Sequence, residues 1–300
     1  MTVGVAALAA RVEAQAKLNL YLRVLSREPN GFHQLETLFQ RVSLADTVSI
    51  RAGVSGRSLD CRGADVGPVE RNLAWKAAAA FVAATGWPRG FAIEIEKRIP
   101  VGAGLGGGSA DAGAVLRALN AMSPTPLGAE ALSLIARGLG ADVPFLASEL
   151  TLAVGTGRGE RLRSLSPLPA REVLLLIPPF GISSQEAFAW FDVHAGDRFE
   201  ATPASLPLRL REGWDTVAHL AENDLELPVF ARYPEIAALR RALETAGAVV
   251  ARMTGSGSVV FGVFETPPPL DANSALRHPK LGASAELVST VDGAAQVELF

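Results

Sequence analysis

The chemistry this chain can offer is concentrated in a glycine-rich loop and a few polar side chains near it in pattern. The loop is Pro100-Val-Gly-Ala-Gly-Leu-Gly-Gly-Gly-Ser-Ala110, and five of the seven residues from Gly102 to Gly108 are glycine. Gly102, Gly104, Gly106, Gly107 and Gly108 let a backbone approach a ligand with no Cβ in the way. The first N–H groups of a following helix point at an anion. Ser109 stands at the expected helix start, able to cap it or to contact a phosphate or its metal. Asp142, in Gly140-Ala-Asp-Val-Pro-Phe145, is a carboxylate fixed just before an apolar run. Lys17 and Asn19 share one face of a strand-like run. Thr254-Gly-Ser-Gly-Ser258 is a second small loop, three of whose five residues carry hydroxyls.

Each of these features has a plainer reading. Gly102, Gly104 and Gly107 satisfy G-x-G-x-x-G, but Glu94 and Glu96 make the preceding strand half exposed, whereas a dinucleotide fold buries both strand faces. A Walker loop needs Gly-Lys-Ser/Thr, and no lysine is present. A flexible turn capped by Ser109 is the remaining structural alternative. Lys17 and Asn19 fit a solvated strand face, with Leu18 and Leu20 turned inward. Asp142 fits an N-cap, with Pro144 in the first helical turn. Thr254 to Ser258 fits a hairpin turn.

The elements that must position these residues are legible in outline. Phe91, Ile93 and Ile95 alternate with polar neighbours and predict a strand, and Ala112, Val115, Leu116 and Leu119 predict a helix after the loop. Val12 to Val24 contains two strand-like runs, Asn30-Gly31 a turn, and Leu44 to Ile50 a turn into another strand. Residues from Arg51 to Glu70 show little pattern. Asn72 predicts a cap for a helix ending at Gly86. Ala131, Leu134 and Ile135 mark a further helix. Leu150 to Val154 and Glu172 to Ile177 read as strands, and Ser183 with Glu186 as a capping box before Phe188. A helix from Pro234 with Ile236, Leu239 and Leu243 inward precedes two strands, Val249 to Met253 and Val259 to Phe264. Nothing is read in the tail after Pro267. The polar, Pro-rich stretch from Leu165 to Arg171 divides the chain into 1–168 and 169–300.

Composition narrows the class. Three hundred residues with 49% apolar content suffice for one large or two ordinary domains. A net charge of −3 gives no basic surface for nucleic acid. Cys61 is the only cysteine, so no intrachain disulfide forms. His33, His194, His219 and His278 show no metal-ligand spacing, and no metal ligands are assigned. No apolar run reaches membrane-spanning length, and no positive segment precedes the apolar start. The expectation is a cytoplasmic protein, acting neither on nucleic acid nor in a membrane, of unspecified oligomeric state.

The loop resembles the P-x-x-x-G-L-G-G-S/G-S-A motif of the GHMP kinases, in which it holds ATP phosphates. All three motifs of that superfamily are present in order. Ala16-Lys-Leu-Asn-Leu20, Gly31-Phe-His-Gln-Leu-Glu-Thr-Leu-Phe-Gln40, Gly140 to Phe145, Asn223-Asp-Leu-Glu226 and Met253 to Ser258 are similar to the branch that phosphorylates the 2-hydroxyl of a cytidine-diphosphate-linked methylerythritol, in the non-mevalonate isoprenoid route. The resemblance implies an α+β, two-domain GHMP kinase fold: an N-terminal ATP-binding α+β domain and a C-terminal ferredoxin-like α/β sandwich, with substrate in the cleft. It implies Asp142 and Lys17 as the catalytic pair. A sugar hydroxyl must lose its proton as it attacks, and a fixed carboxylate suits that role. It implies ATP with Mg²⁺ at Pro100, Gly102, Gly104, Leu105, Gly106, Gly107, Gly108, Ser109 and Ala110. Asn19, Thr254, Gly255 and Ser256 would lie at the substrate, with Phe32, His33 and Phe188 around cytosine. Five residues depart from the pattern: Gln15, Phe32, Ser148-Glu149 and Arg158. Other small-molecule GHMP kinases, of homoserine or mevalonate type, and a catalytically inactive GHMP-type ligand sensor are the alternatives. A substrate panel separates the first and ATP turnover the second.

Overall fold

Two long strands form the spine of the molecule. In the computed structural model, which describes residues 8–196, 213–266 and 282–300, β1 (Leu8–Arg27) and β2 (His33–Ala52) pair antiparallel across the Asn30-Gly31 turn. The remaining elements are β3 (Arg57–Arg62), α1 (Leu73–Thr85), β4 (Phe91–Glu96), α2 (Gly107–Met122), α3 (Ala129–Arg137), α4 (Val143–Ala147), β5 (Leu152–Gly157), β6 (Arg161–Ser164), β7 (Glu172–Ile177), α5 (Ser184–Ala195), α6 (Trp214–Leu220), α7 (Glu226–Arg232), α8 (Pro234–Thr245), β8 (Val250–Met253), β9 (Val260–Phe264), β10 (Ser284–Ser289) and β11 (Glu298–Leu299).

The first sheet runs β11-β1-β2-β4-β3, with β5 and β6 continuing from β2. β2 serves two neighbours in succession: Leu35 to Gln40 pair with β5, and Thr47 to Ala52 pair with β4. Helix α2 packs on this sheet through Ala112, Val115, Leu116 and Leu119, the residues whose spacing predicted it, and all are buried. Opposing sheet residues include Val48, Ile50, Ile93 and Ile95. The second sheet, β10-β7-β9-β8, is wholly antiparallel. Val173 and Leu175 of β7 face the first core, while Leu174 and Leu176 face α5, α7 and α8. Burial on both faces explains the unbroken apolar run in β7. Ile236, Leu239 and Leu243 of α8 point inward as their spacing predicts.

Several expectations need correction. Val12 to Val24 lies in one strand, and Leu44 to Ile50 continues β2 with no turn; the register shifts at three bulges in the hairpin, which bend a strand without ending it. β3 and β6 escaped notice because they are short, charged and mostly exposed. Leu134 is 70% exposed, and the inward residues of α3 are Leu132, Ile135 and Ala136. The tail is not structureless: β10 pairs with β7, and β11 returns to β1. The rest of the tail, 267–281, and the apolar start before Leu8 lie outside the described residues.

Candidate active site

The glycine loop is fastened to β1 by a backbone bond, Lys17 N to Leu105 O at 3.0 Å. It also lies against two loops of the C-terminal half. Val259 N donates to Ala103 O at 3.3 Å, and Ile182 N to Gly102 O at 3.1 Å. Gly102, Gly104 and Gly106 have φ of 70°, 82° and 75°, a region costly for any side chain. Part of the glycine requirement comes from the protein itself. A Cβ on Gly104 would stand 2.0 Å from the Thr254 carbonyl oxygen, and one on Gly107 would stand 2.9 Å from Ile99. Gly106 caps α2, so Ser109 lies within the first turn and makes no cap; this corrects the expected capping role. Gly108 differs from the rest: its nearest neighbour would be Leu73 at 3.8 Å, and its φ is not positive.

Lys17 is not on a solvated face. Lys17 and Asn19 are each 3% exposed. The Thr254 loop covers them, which β-strand alternation cannot reveal. A buried ammonium must satisfy its three donors, and Lys17 Nζ reaches Asn19 Oδ1 at 2.6 Å, Gly104 O at 2.9 Å and Asp142 Oδ2 at 3.4 Å. Asn19 in turn donates to Thr37 Oγ1 at 2.8 Å, and its backbone N–H to Thr254 Oγ1 at 3.1 Å. Asp142 occupies the N-cap position of α4, but its carboxylate makes no capping bond. It faces Lys17 instead, with its side chain 30% exposed. The site therefore presents one accessible carboxylate, oriented by a buried cation, beside a loop of amides. Such a carboxylate can accept a proton from an alcohol.

Thr254, Gly255 and Ser256 sit at this centre, although their hydroxyls have protein partners. Thr254 Oγ1 lies 3.3 Å from Gly104 O, and Ser256 Oγ lies 3.2 Å from Ser184 Oγ. Ser258 donates to Phe180 O. The loop is braced from below by Asn223, which the chain pattern singled out without a role. Its Nδ2 donates to Met253 O at 2.7 Å and Gly255 O at 2.9 Å. Glu226 Oε1 accepts from Met253 N at 2.7 Å.

Phe32, His33 and Phe188 form a separate group at the turn end of the hairpin. His33 is buried, stacked on Phe188 with centroids 4.8 Å apart at 17°, and its Nε2 lies 2.6 Å from Asp192 Oδ1. Phe188 thus faces the imidazole. Phe32 is 55% exposed, and the Arg158 guanidinium carbon lies 3.9 Å from its ring centroid. Arg158 also donates to Glu28 Oε2 at 2.6 Å; this bond and one from Asn30 hold the Glu28 carboxyl down at about 2. The departure at Arg158 is therefore a stacking and ion-pairing residue on the face of Phe32. Gln15, another departure, accepts from Ala295 N at 2.9 Å and ties down the tail.

A buried charge cluster behind the loop went unforeseen. Lys97 bridges Asp46 and Asp111, the latter at 2.8 Å, and Asp46 Oδ1 also accepts from Arg98 N and Ile99 N at 2.6 and 2.8 Å. These bonds anchor the chain entering the loop. Burial pushes the Asp111 carboxyl up to about 7, with Lys97 opposing. Asp46 and Lys97 lie 51 positions apart, so no local spacing marks them.

Comparisons with known proteins agree with this arrangement. Family models for the GHMP kinases N terminal domain and the GHMP kinases C terminal match residues 72–149 and 206–277. The 4-diphosphocytidyl-2-C-methyl-D-erythritol kinase of Desulfotalea psychrophila is 42% identical over 85% of this chain and 85% of its own. A crystal structure of 4-(cytidine 5'-diphospho)-2C-methyl-D-erythritol kinase is 35% identical, with a TM-score of 0.73 over 94% of this chain and 100% of that one. Homoserine kinase from Cytophaga hutchinsonii shares the fold at 15% identity, with a TM-score of 0.69 over 100% of this chain and 99% of its own. The glycine loop, the two-sheet architecture and these matches together make the chain a member of the GHMP kinase family, a small-molecule kinase with the family's two-domain α+β fold.

Proposed function

We propose that the protein transfers the γ-phosphoryl group of ATP to the 2-hydroxyl of 4-diphosphocytidyl-2-C-methyl-D-erythritol, within the cytoplasmic non-mevalonate route to isoprenoid precursors. The observation that carries this reading is the buried Lys17 turned onto the accessible Asp142 carboxylate beside the Gly104 loop. Asp142 takes the hydroxyl proton. Lys17 orients it and offsets charge developing near the γ-phosphate. The residues from Pro100 to Ala110 hold the ATP phosphates, Ser109 by its hydroxyl. Asn19, Thr254, Gly255 and Ser256 line the acceptor side, and Phe32, His33 and Phe188 seat cytosine. The unit boundary at 168/169 falls between β6 and β7, which belong to different sheets.

Among the described residues, no three acidic, histidine or cysteine side chains converge on a cation site. Mg²⁺ arriving on the triphosphate keeps waters and phosphate oxygens as ligands and needs only one or two protein groups. The Ser109 hydroxyl would supply one. When bound, the ion neutralises charge on the β- and γ-phosphates.

The reading is tested by ATP-dependent phosphorylation of the cytidine-linked methylerythritol beside mevalonate and homoserine. Turnover of either of the last two in preference to the first overturns it. In the same assay Phe32→Ala is expected to raise KM for the cytidine substrate about ten- to a hundredfold, by analogy with base–aromatic stacking worth roughly 1–3 kcal/mol. KM for ATP should stay within about twofold. His33→Ala should act likewise and relax the preference for cytidine- over uridine-linked alcohol. Unchanged KM and preference in both variants remove the cytosine assignment.

Gly108→Ala isolates the phosphate contact. The Cβ has room in the protein, and alanine favours a helix over glycine by about 1 kcal/mol. The variant should be at least as stable as the parent, yet bind ATP about ten- to a hundredfold more weakly, the scale of losing one charge-assisted amide contact. Equal ATP affinity by calorimetry would take Gly108 out of the phosphate site.

A further inference from the structure

Arg41 is 1% exposed, among the largest of the fully buried side chains. Among the described residues no carboxylate pairs with it. Three carbonyl oxygens accept from its guanidinium instead. Nε donates to Leu150 O at 3.1 Å, and Nη2 donates to Phe145 O at 3.0 Å and Ser148 O at 3.1 Å. Phe145 lies in α4 and Ser148 caps its C-terminal end. Arg41 therefore holds the end of the helix whose opposite end is Asp142.

The hairpin register makes the arrangement specific. Lys17 and Arg41 are Cα partners on one rung of β1 and β2. Lys17 meets the Asp142 carboxylate, and Arg41 meets the other end of the same short helix. Two aromatic rings fill the space between the cations. Lys17 Nζ lies 5.9 Å from the Phe39 centroid, Phe39 stacks on Phe145 at 5.0 Å, and the Arg41 guanidinium lies 5.2 Å from Phe145. On its remaining side α4 lies against α2, so closely that a Cβ on Gly113 would stand 2.5 Å from the Leu146 backbone.

We propose that Arg41 is a positioning residue for phosphoryl transfer, setting the placement of Asp142 by clamping the C-terminal end of α4 from the rung that carries Lys17. The inference rests on Asp142 being the base. The departure at Ser148 belongs to this clamp. Its carbonyl accepts from Arg41, its hydroxyl donates to Phe145 O at 2.7 Å, and Leu150 N donates back to that hydroxyl at 3.2 Å. A buried cation with no counter-ion is costly to keep. Burial, and then the Arg117 charge, bring the Arg41 pKa down to about 9, the mark of that cost. A neutral side chain would pack here at less expense if shape alone were required. Guanidinium's planar fork sets its donors in fixed directions, toward the carbonyls of Phe145, Ser148 and Leu150 at once.

The test is steady-state kinetics of Arg41→Met and Arg41→Lys, each alone and combined with Asp142→Asn. Alone, each is expected to lower kcat about ten- to a hundredfold, the scale of a displacement near 1 Å in a reacting group. KM for ATP and for the alcohol should stay within about twofold. In the Asp142→Asn background neither should lower kcat further, because the group that Arg41 places has already lost its function. Arg41→Lys keeps the buried charge and carries the test if Arg41→Met fails to fold. Equal losses in both backgrounds, a loss confined to KM, or lower melting temperature with normal kcat each overturn the proposal. If Asp142→Asn itself keeps near-normal kcat, the base assignment fails first, and the two failures are told apart.

Discussion

Asp142→Asn is expected to bind ATP and the alcohol as the parent does and to turn over about 10²–10⁴-fold more slowly. The substitution is nearly isosteric. The carboxylate makes no helix-capping bond, so the contact its loss changes is the ion pair with Lys17. The amide oxygen still offers Lys17 an acceptor at the position now 3.4 Å away. What disappears is basicity: an amide cannot take the hydroxyl proton. The collapse of kcat should therefore come with a smaller fall in melting temperature, because Lys17 loses its counter-ion. Parallel thermal melts, ATP calorimetry and single-turnover kinetics separate these quantities. A variant with near-normal kcat would leave the reaction without an assigned base.

Lys17→Met is expected to lower kcat by roughly 10²–10³, the range seen when one preorganised electrostatic stabiliser is removed. KM for ATP should change less, because the interaction matters chiefly as charge develops in the transition state. Its stability signature should differ from that of Asp142→Asn. Lys17 supplies donors to both Asn19 Oδ1 and Gly104 O. With it gone, the Thr254 hydroxyl lies 3.5 and 3.3 Å from these two acceptors and has a single proton to give. One buried acceptor is then orphaned, at a cost of about 1–3 kcal/mol. Lower kcat together with a lower melting temperature is the expected pair of results. A loss confined to KM for ATP would make Lys17 a binding residue only.

The parts of the site that could be read from sequence are those built from local pattern. Five glycines in seven residues have few structural uses, and the flanking strand and helix have clean periods. The reason for each glycine was less legible. Gly104 and Gly107 are constrained by Thr254 and Ile99, contacts that only the folded chain creates. The same limit hid the state of Lys17 and Asn19. Alternation gives two faces of a strand, but the polar face is dry here because a loop some 235 positions away lies on it. The expected turn at Leu44, absent from β2, has a related reason. Its middle carries Arg41, Ser43 and Asp46, polar residues that suggest a turn; in the fold, Arg41 and Asp46 are buried and bonded to α4 and to the loop entry. Asp142 does stand at the N-cap of α4, but its carboxylate turns to Lys17 and makes no cap, a direction that spacing along the chain does not carry.

The return of β11 to β1 has a consequence for how the chain is made. Ala9 and Phe300 exchange backbone hydrogen bonds at 3.1 and 3.0 Å, and Ala10 and Arg11 pair with Leu299 and Glu298. Synthesis proceeds from the N-terminus, so β1 is made well before β11, the strand that pairs with it at Ala10 and Arg11. Until β11 emerges, this stretch of β1 presents unpaired N–H and C=O groups, the kind of edge on which chains add to one another. This part of the first sheet's outer edge is thus closed only once β11, from the other half, has been made. A piece ending at residue 168 lacks that closing strand, however well the rest of its core packs.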